Sequence, residues 1–405
     1  RKIMLDFSFC LPTRVLFGKG AQKLIPEQIK KGGFTKVLLH SYDKEDVAKI
    51  PIYQEVKEIL SGAGIPYVEF LGVRPNPTLS LISEGIGLAR KEKVDFILAV
   101  GGGSVIDSAK GIALGVNTSI EDVWAYVEGS KEPEIEKTVK LGCVLTAAAA
   151  GSETSTAAVI TNEALNQKKG AHHEANRPYF AVMNPEATYS VPPFQTACGV
   201  FDSIMHVFER YLTATEDALL TDRIAEAIMK SVIEAGYRVM EKPDDYEARA
   251  TLMWGASLAH NNLLSCGRLK GCGLHLIEEE LHAANGRIVH GAGLSALFPA
   301  YARHVYQKGL NRFARFAVEV FGEEYDFEHP ERTALKGIQD MENLIRFLGL
   351  PKSLKEIGVT RDRLEMVAKN CTANGRNVSN LCKLTKQDVM EILNDAQENG
   401  PAGDD

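Results

Sequence analysis

The chain has 405 residues, of which 46 are Lys or Arg and 53 are Asp or Glu, a net charge of −7 with His neutral. That sign argues against nucleic acid or an anionic membrane as the main partner. Hydrophobic residues at 45% and charged residues at 24% exclude general disorder and supply apolar material for large cores, and the length suits two domains.

In chain order, Val37–Leu39 reads as a strand and Tyr53–Leu60 as a helix. Tyr67–Leu71 is strand-like, Leu79–Arg90 helical, and Asp95–Val100 (DFILAV) a buried strand. Ser104–Leu114 is helical, and Gly142–Leu145 and Tyr179–Met183 are further apolar runs. Such alternation predicts a parallel, doubly wound sheet. From Pro193 onward the pattern turns helical, with apolar residues three and four apart in Asp217–Met240, Tyr246–Leu264, Ala292–Tyr306 and Asn311–Phe321. Pro192-Pro193 marks the change, which places a boundary between residues 1–191 and 192–405. Lys242-Pro243-Asp244-Asp245 reads as a helix stop followed by a new cap, and the polar tail Glu398–Asp405 as a frayed end.

No window holds 18 uninterrupted apolar residues, so no transmembrane helix is expected, and Arg1–Phe9 carries polar residues too early for a signal peptide. The seven cysteines form no CxxC pair. Free thiols in a reducing cytoplasm are the simplest reading.

The strongest local signal is Gly101-Gly102-Gly103-Ser104, directly after the strand Asp95–Val100 and opening a helix. Glycines there permit a sharp turn, and the helix N-terminus offers amides and partial positive charge to a phosphate, with Ser104 as the expected N-cap. The run is neither GxGxxG nor a Walker loop, and a glycine cluster alone is often a tight turn.

Asp202 and His206 are spaced i, i+4 and would share one face of a helix; His275 and His290 follow in GLHLIEEELHAANGRIVHGAG. Three imidazoles and a carboxylate suit Fe²⁺ or Zn²⁺. Such a pair is more often a hydrogen-bonded structural pair, and Glu279 and His282 are rivals on the same segment. His172-His173 reads as a solvated loop. Periodicity does not choose among these.

Longer stretches do. PTRVLFGKGA, VRPNPT (73–78), AVGGGSVIDSAKGIA (99–113), LTAAAAGSETSTAAVITNE (145–163), MNPEATYSVPPFQTACGVFDSIMHVFERYL (183–212), EKPDDYEARATLMW (241–254) and HGAGLSALFPAYARHVY (290–306) together resemble the iron-containing (group III) alcohol dehydrogenase family, above all its NAD(P)H-dependent butanol dehydrogenase branch. The likeness runs from about residue 7 to about 396. It implies a dehydroquinate synthase-like fold: an α/β Rossmann-like dinucleotide-binding domain (1–191) and an all-α metal-binding, catalytic domain (192–405). By motif match it implies Asp202, His206, His275 and His290 as metal ligands and catalytic centre. It implies Gly102, Gly103 and Ser104 on the cofactor pyrophosphate, with Asn76, Asp107, Thr146 and Lys168 at further cofactor positions. The implied reaction is reversible hydride transfer between a primary alcohol and NAD(P)⁺ with a metal ion as Lewis acid, in a cytoplasmic homodimer acting on small molecules.

The chain departs from the branch in places. His40-Ser41-Tyr42-Asp43-Lys44 stands where a Gly-Gly-Gly-Ser is usual, Glu279 where a second His is frequent, and Ala150 where Thr is usual; His275 to His290 is one residue longer, placed in Asn285-Gly286-Arg287. Asp43 can bond ribose hydroxyls and repel a 2′-phosphate, which favours NAD, although Lys44 beside it could pair with that phosphate. His282, seven residues after His275, or a bound water could relay the proton. Rival readings are a polyol dehydrogenase, an NAD-using lyase drawing on Arg268, Lys270 and Arg287 for an anionic substrate, and a nucleotide-sensing scaffold without chemistry.

Overall fold

The computed structural model describes residues 4–165, 167–285, 288–376, 378–379 and 381–398. The tail beyond 398, and Gly286 and Arg287 of the lengthened loop, lie outside the described residues. The chain forms two compact units. One comprises Cys10–Val191 with Asp244–Ser257; the other comprises Pro192–Pro243, the chain from Leu258 onward, and the N-terminal stretch through Phe9.

The first unit is α/β. Its strands and helices run β1 (Arg14–Phe17), α1 (Ile25–Lys31), β2 (Val37–Tyr42), α2 (Lys44–Val47), α3 (Pro51–Gly62), β3 (Tyr67–Val73), α4 (Leu79–Lys91), β4 (Phe96–Gly101), α5 (Gly103–Gly115), α6 (Ile120–Glu128), β5 (Lys140–Leu145), β6 (Ala157–Asn162), β7 (Gln167–His172) and β8 (Phe180–Met183). Six strands form one parallel sheet in the order β1-β8-β5-β4-β2-β3. Both faces are covered, which is why DFILAV is apolar throughout rather than alternating. Ile97 and Ala99 enter the core on one face with Ile106, Ala109 and Ile112 of α5. Phe96, Leu98 and Val100 enter the other with Ile25, Ile29 and Val56.

Two strand features escaped the periodicity. The four-residue β1 is too short to show a period. The antiparallel pair β6–β7 stands outside the sheet and carries Lys168 and Lys169 on a half-exposed strand. His172 ends β7, so it is not a loop residue, and His173 caps the following turn by accepting the Ala175 N–H through Nδ1, 3.0 Å.

The second unit is helical: α7 (Pro193–Tyr211), α8 (Leu219–Glu241), the end of α9 (Tyr246–His260), α10 (Gly273–Asn285), α11 (His290–Val305), α12 (Leu310–Phe316), α13 (Pro330–Phe347), α14 (Arg361–Cys371) and α15 (Lys386–Glu398). Pro193 sits in the first turn of α7, where a missing N–H costs nothing. Helix α7 is buried nearly all round, as its apolar sequence demands. The Tyr246–Leu264 pattern stops early, at His260, because Asn262 turns left-handed with φ 78°. Asn311–Phe321 divides into α12 and a wide π turn, Ala317–Phe321. Among the described residues no helix is long and apolar enough to cross a membrane.

Aromatic packing holds α7 in place. The Phe208 ring lies 4.9 Å from that of Phe316, 5.5 Å from Phe298 and 5.8 Å from Phe313, all edge to face. Phe208→Ala opens a cavity at this junction and is expected to cost about 3–5 kcal/mol, read as a lower midpoint in denaturant unfolding.

Candidate functional site: three imidazoles around one carboxylate oxygen

Helix α7 places Asp202, His206 and Glu209 on one face at i, i+4 and i+7, all buried. Helix α10 contributes His275 and Glu278, one turn apart and buried. His290 is the first residue of α11. Two glycines of the HGAG run bring that helix end close: a Cβ on Gly291 would lie 2.5 Å from the Cys198 carbonyl oxygen of α7, and one on Gly293 would lie 2.7 Å from Glu278 Cγ. Their value is space for backbone and carboxylate, not a special φ.

Three imidazoles then converge. From Asp202 Oδ1, Nε2 of His206 is 3.3 Å away, Nε2 of His275 3.4 Å and Nε2 of His290 3.6 Å. Asp202, His206 and His275 have ligand atoms mutually within 4.8 Å, and His290 joins them through Asp202. The opposite nitrogens are held from behind: His275 Nδ1 by Glu209 and His290 Nδ1 by Glu278. Glu209 also accepts the Leu274 N–H at 2.5 Å and the His275 N–H at 3.3 Å, so the start of α10 is tied to the same carboxylate. A carboxylate on Nδ1 fixes the tautomer and aims the Nε2 lone pair inward, as in histidine metal sites. The His206 ring is stacked between His275 at 4.2 Å and His260 at 4.3 Å.

Burial disfavours charge on all three rings. At His206, with neighbouring imidazoles adding to the effect, it drives the pKa well below the usual value, leaving the neutral form a metal accepts. At His275 Glu209 and Asp202 outweigh burial and raise the pKa to about 10, and Glu278 and Asp202 raise His290 in the same direction. The donor set, three nitrogens and one anionic oxygen with carboxylates behind two rings, fits a divalent transition metal.

Glu209, Glu278 and His260 were not singled out in the sequence. The two glutamates do carry a signal, each standing three residues after a candidate histidine. His260 carries none. Glu279 is half-buried and stands outside the group. His282 is buried, and its Nδ1 meets the Ile288 carbonyl oxygen at 3.0 Å.

In the α/β unit the glycine turn and Asp43 stand just beyond β4 and β2, which lie side by side. The chain leaves β2 for β3 on one side of that pair and leaves β4 for β5 on the other. A switch of this kind opens a crevice at the strand ends. Ser104 is not the N-cap of α5: the helix begins at Gly103 and Gly102 occupies the cap, with no side-chain bond. None of the three glycines needs a positive φ. A Cβ on Gly101 would instead lie 2.4 Å from Val105, and one on Gly102 2.9 Å from the Tyr42 hydroxyl. That hydroxyl accepts the Gly102 N–H at 2.8 Å, and Thr146 bonds it from the side.

Asp107 points behind the turn, accepting from Ser152 Oγ at 2.6 Å and the Val159 N–H at 3.0 Å. Lys110, fully buried, donates to Ser152 O and Oγ at 2.8 Å and Ala157 O at 2.6 Å. Burial raises the Asp107 pKa and lowers that of Lys110. Asp43 caps α2 by accepting the Glu45 and Asp46 N–H groups, and Arg74 stands 3.7 Å from its other oxygen. Asn76 holds a left-handed φ of 62° before α4, and Lys168 lies half-buried on β7.

Comparison with known proteins gives the family. The family described as "Iron-containing alcohol dehydrogenase" matches residues 12–185, and "Fe-containing alcohol dehydrogenase family, C-terminal" matches residues 196–397. This chain belongs to the iron-containing alcohol dehydrogenase family. It is accordingly an oxidoreductase of the alcohol dehydrogenase class. It is 39% identical to NADH-dependent butanol dehydrogenase A of Clostridium acetobutylicum over 393 residues, covering 96% of this chain and 99% of that one. It is 34% identical to the NADPH-dependent aldehyde reductase YqhD of Escherichia coli, covering 92% and 94%. The crystal structure of an NADH-dependent butanol dehydrogenase A from Thermotoga maritima superposes with a TM-score of 0.91 at 37% identity, covering 98% and 100%.

Two outcomes test the site chemistry. Glu209→Gln, which weakens the hold on His275 Nδ1, is expected to lower affinity for Fe²⁺ or Zn²⁺ by about 10–100-fold, measured by competition with a chromogenic chelator. In the α/β unit, burial raises the Glu153 carboxyl to a pKa of about 7. A raised folded pKa contributes stability below the unfolded value that is lost as pH rises through the folded one. Wild type should therefore lose stability between about pH 4.5 and 7, and Glu153→Gln should flatten that slope in unfolding midpoints taken across the window.

Proposed function

We propose that this protein interconverts primary alcohols and aldehydes in a metal-dependent, NAD(P)-linked reaction, with a butanol dehydrogenase-like substrate range. The observation that carries the reading is the convergence of three imidazole Nε2 atoms on Asp202 Oδ1. The relatives support it through their names: butanol dehydrogenases that use NADH and an aldehyde reductase that uses NADPH.

Asp202, His206, His275 and His290 would hold the ion, Fe²⁺ or Zn²⁺, which when bound polarises the substrate oxygen and eases its loss of a proton. Charge stabilisation of that kind is worth several kcal/mol, on the order of a thousandfold in rate. Glu209 and Glu278 keep two of the imidazoles aimed at the ion through their Nδ1 atoms. The glycine turn is assigned to the cofactor pyrophosphate. Because Tyr42 occupies the Gly102 amide, the amides of Gly103 and Ser104 carry the phosphate contact together with the α5 dipole. Asp107 and Thr146 brace the turn from behind and beside, while Asn76 and Lys168 are assigned, by motif likeness, as direct cofactor contacts.

NAD is the favoured cofactor. Asp43 sets a carboxylate just beyond β2, where it repels a 2′-phosphate and can meet ribose hydroxyls. Residues 1–191 are read as the dinucleotide-binding domain and 192–405 as the metal-binding one. The family resemblance points to a homodimer, and seven cysteines without a disulfide suit a reducing cytoplasm.

His206→Ala is expected to lose most bound metal and most turnover while its circular dichroism stays that of the wild type. Retention of wild-type metal content and turnover overturns the ligand assignment. Steady-state kinetics on metal-loaded enzyme with short-chain aldehydes should show higher kcat/KM with NADH. A tenfold preference for NADPH overturns the cofactor choice.

A further inference from the structure

The carboxylate assigned to the ribose is not a bare charge. Asp43 follows β2, and Arg74 follows β3, the parallel neighbour of β2 in the sheet. Tyr42 and Val73 are register partners, so Asp43 and Arg74 are the next residue on each strand and leave the sheet side by side. Asp43 Oδ1 accepts the Glu45 and Asp46 N–H groups at 3.2 and 3.0 Å, as the cap of α2. Its Oδ2 faces Arg74, whose Nε is 3.7 Å away. One oxygen is thus spent on backbone, and the other lies beside a guanidinium.

The two side chains differ in freedom. That of Asp43 is 30% exposed and tied at Oδ1, whereas that of Arg74 is 82% exposed. The base of Arg74 is fixed all the same. Pro75 follows it and keeps residue 74 out of the helical region. Pro77 O accepts the Thr161 N–H at 2.9 Å, which anchors the turn on β6. Arg74 is therefore a long, solvent-exposed cation standing on a rigid turn. An exposed ion pair of this kind contributes little, so exchanging the carboxylate for a phosphate costs little and gains a more highly charged partner that a guanidinium meets with two parallel N–H bonds.

We propose that Arg74 is a specificity-determining residue for the cofactor. Its guanidinium leaves Asp43 for a 2′-phosphate when one is present, so the crevice accepts NADPH as its second-choice dinucleotide despite the carboxylate that favours NADH. This rests on the dinucleotide reading of the crevice between β2 and β4. Lys44, exposed at the start of α2, is the rival cation. Arg74 is the one brought to Asp43 Oδ2, and an ammonium offers a phosphate only a point charge.

The test measures equilibrium binding on the full-length chain, titrating NADH and NADPH separately and following nicotinamide fluorescence with no substrate turned over. In Arg74→Met the ratio of the NADPH to the NADH dissociation constant is expected to rise about 10–100-fold over wild type. Asp43→Asn, which keeps a capping oxygen for α2, should lower that ratio, and adding Arg74→Met to it should abolish the gain. A ratio unmoved by Arg74→Met, or one that Lys44→Met raises instead, overturns the proposal and leaves the dinucleotide reading standing. Wild type that binds neither dinucleotide overturns that reading and the proposal with it.

Discussion

The helical unit is organised by hydrogen bonds from two imidazoles to buried carboxylates. Glu209 holds His275 and Glu278 holds His290, each through Nδ1. With those nitrogens committed, the opposite ones have one direction left, toward Asp202. Removing either carboxylate would free a ring to rotate, and the convergence on Asp202 would loosen. The surrounding helices serve this constraint. Glu209 draws the start of α10 onto α7 through the Leu274 and His275 amides. Gly291 and Gly293 let α11 come near enough for His290 to reach the same oxygen.

The α/β unit solves a different problem, the presentation of backbone amides. Strand β4 delivers Gly101 to the end of a fully buried sheet, and α5 starts two residues later. Between them the chain has no room for side chains, so glycine is required by Val105 and Tyr42 rather than by dihedral angle. Tyr42, at the end of β2, stands in contact with the turn through its hydroxyl.

Much of this was legible in the sequence. The buried strand DFILAV, the helix after it and the helical second half follow from periodicity, because burial on both faces or on one stripe writes itself into apolar spacing. Asp202 and His206 share a helix face by arithmetic alone. Motif likeness, not spacing, was needed to join them to His275 and His290, since no local rule relates α7 to α11. What stayed hidden depended on tertiary contacts. Ser104 looked like a cap because Ser usually is one, yet the helix starts a residue earlier at a glycine. His260 meets His206 only through packing. Strand β1 pairs with β8, more than 160 residues away, which a four-residue segment cannot announce.

The buried ammonium of Lys110 bears on how the GGGSxxDxxK signature should be understood. Its lysine ends in a cage of carbonyl oxygens, and its aspartate accepts from Ser152 and Val159, both inside the fold. Those two residues therefore brace the glycine turn from behind instead of forming its outward face.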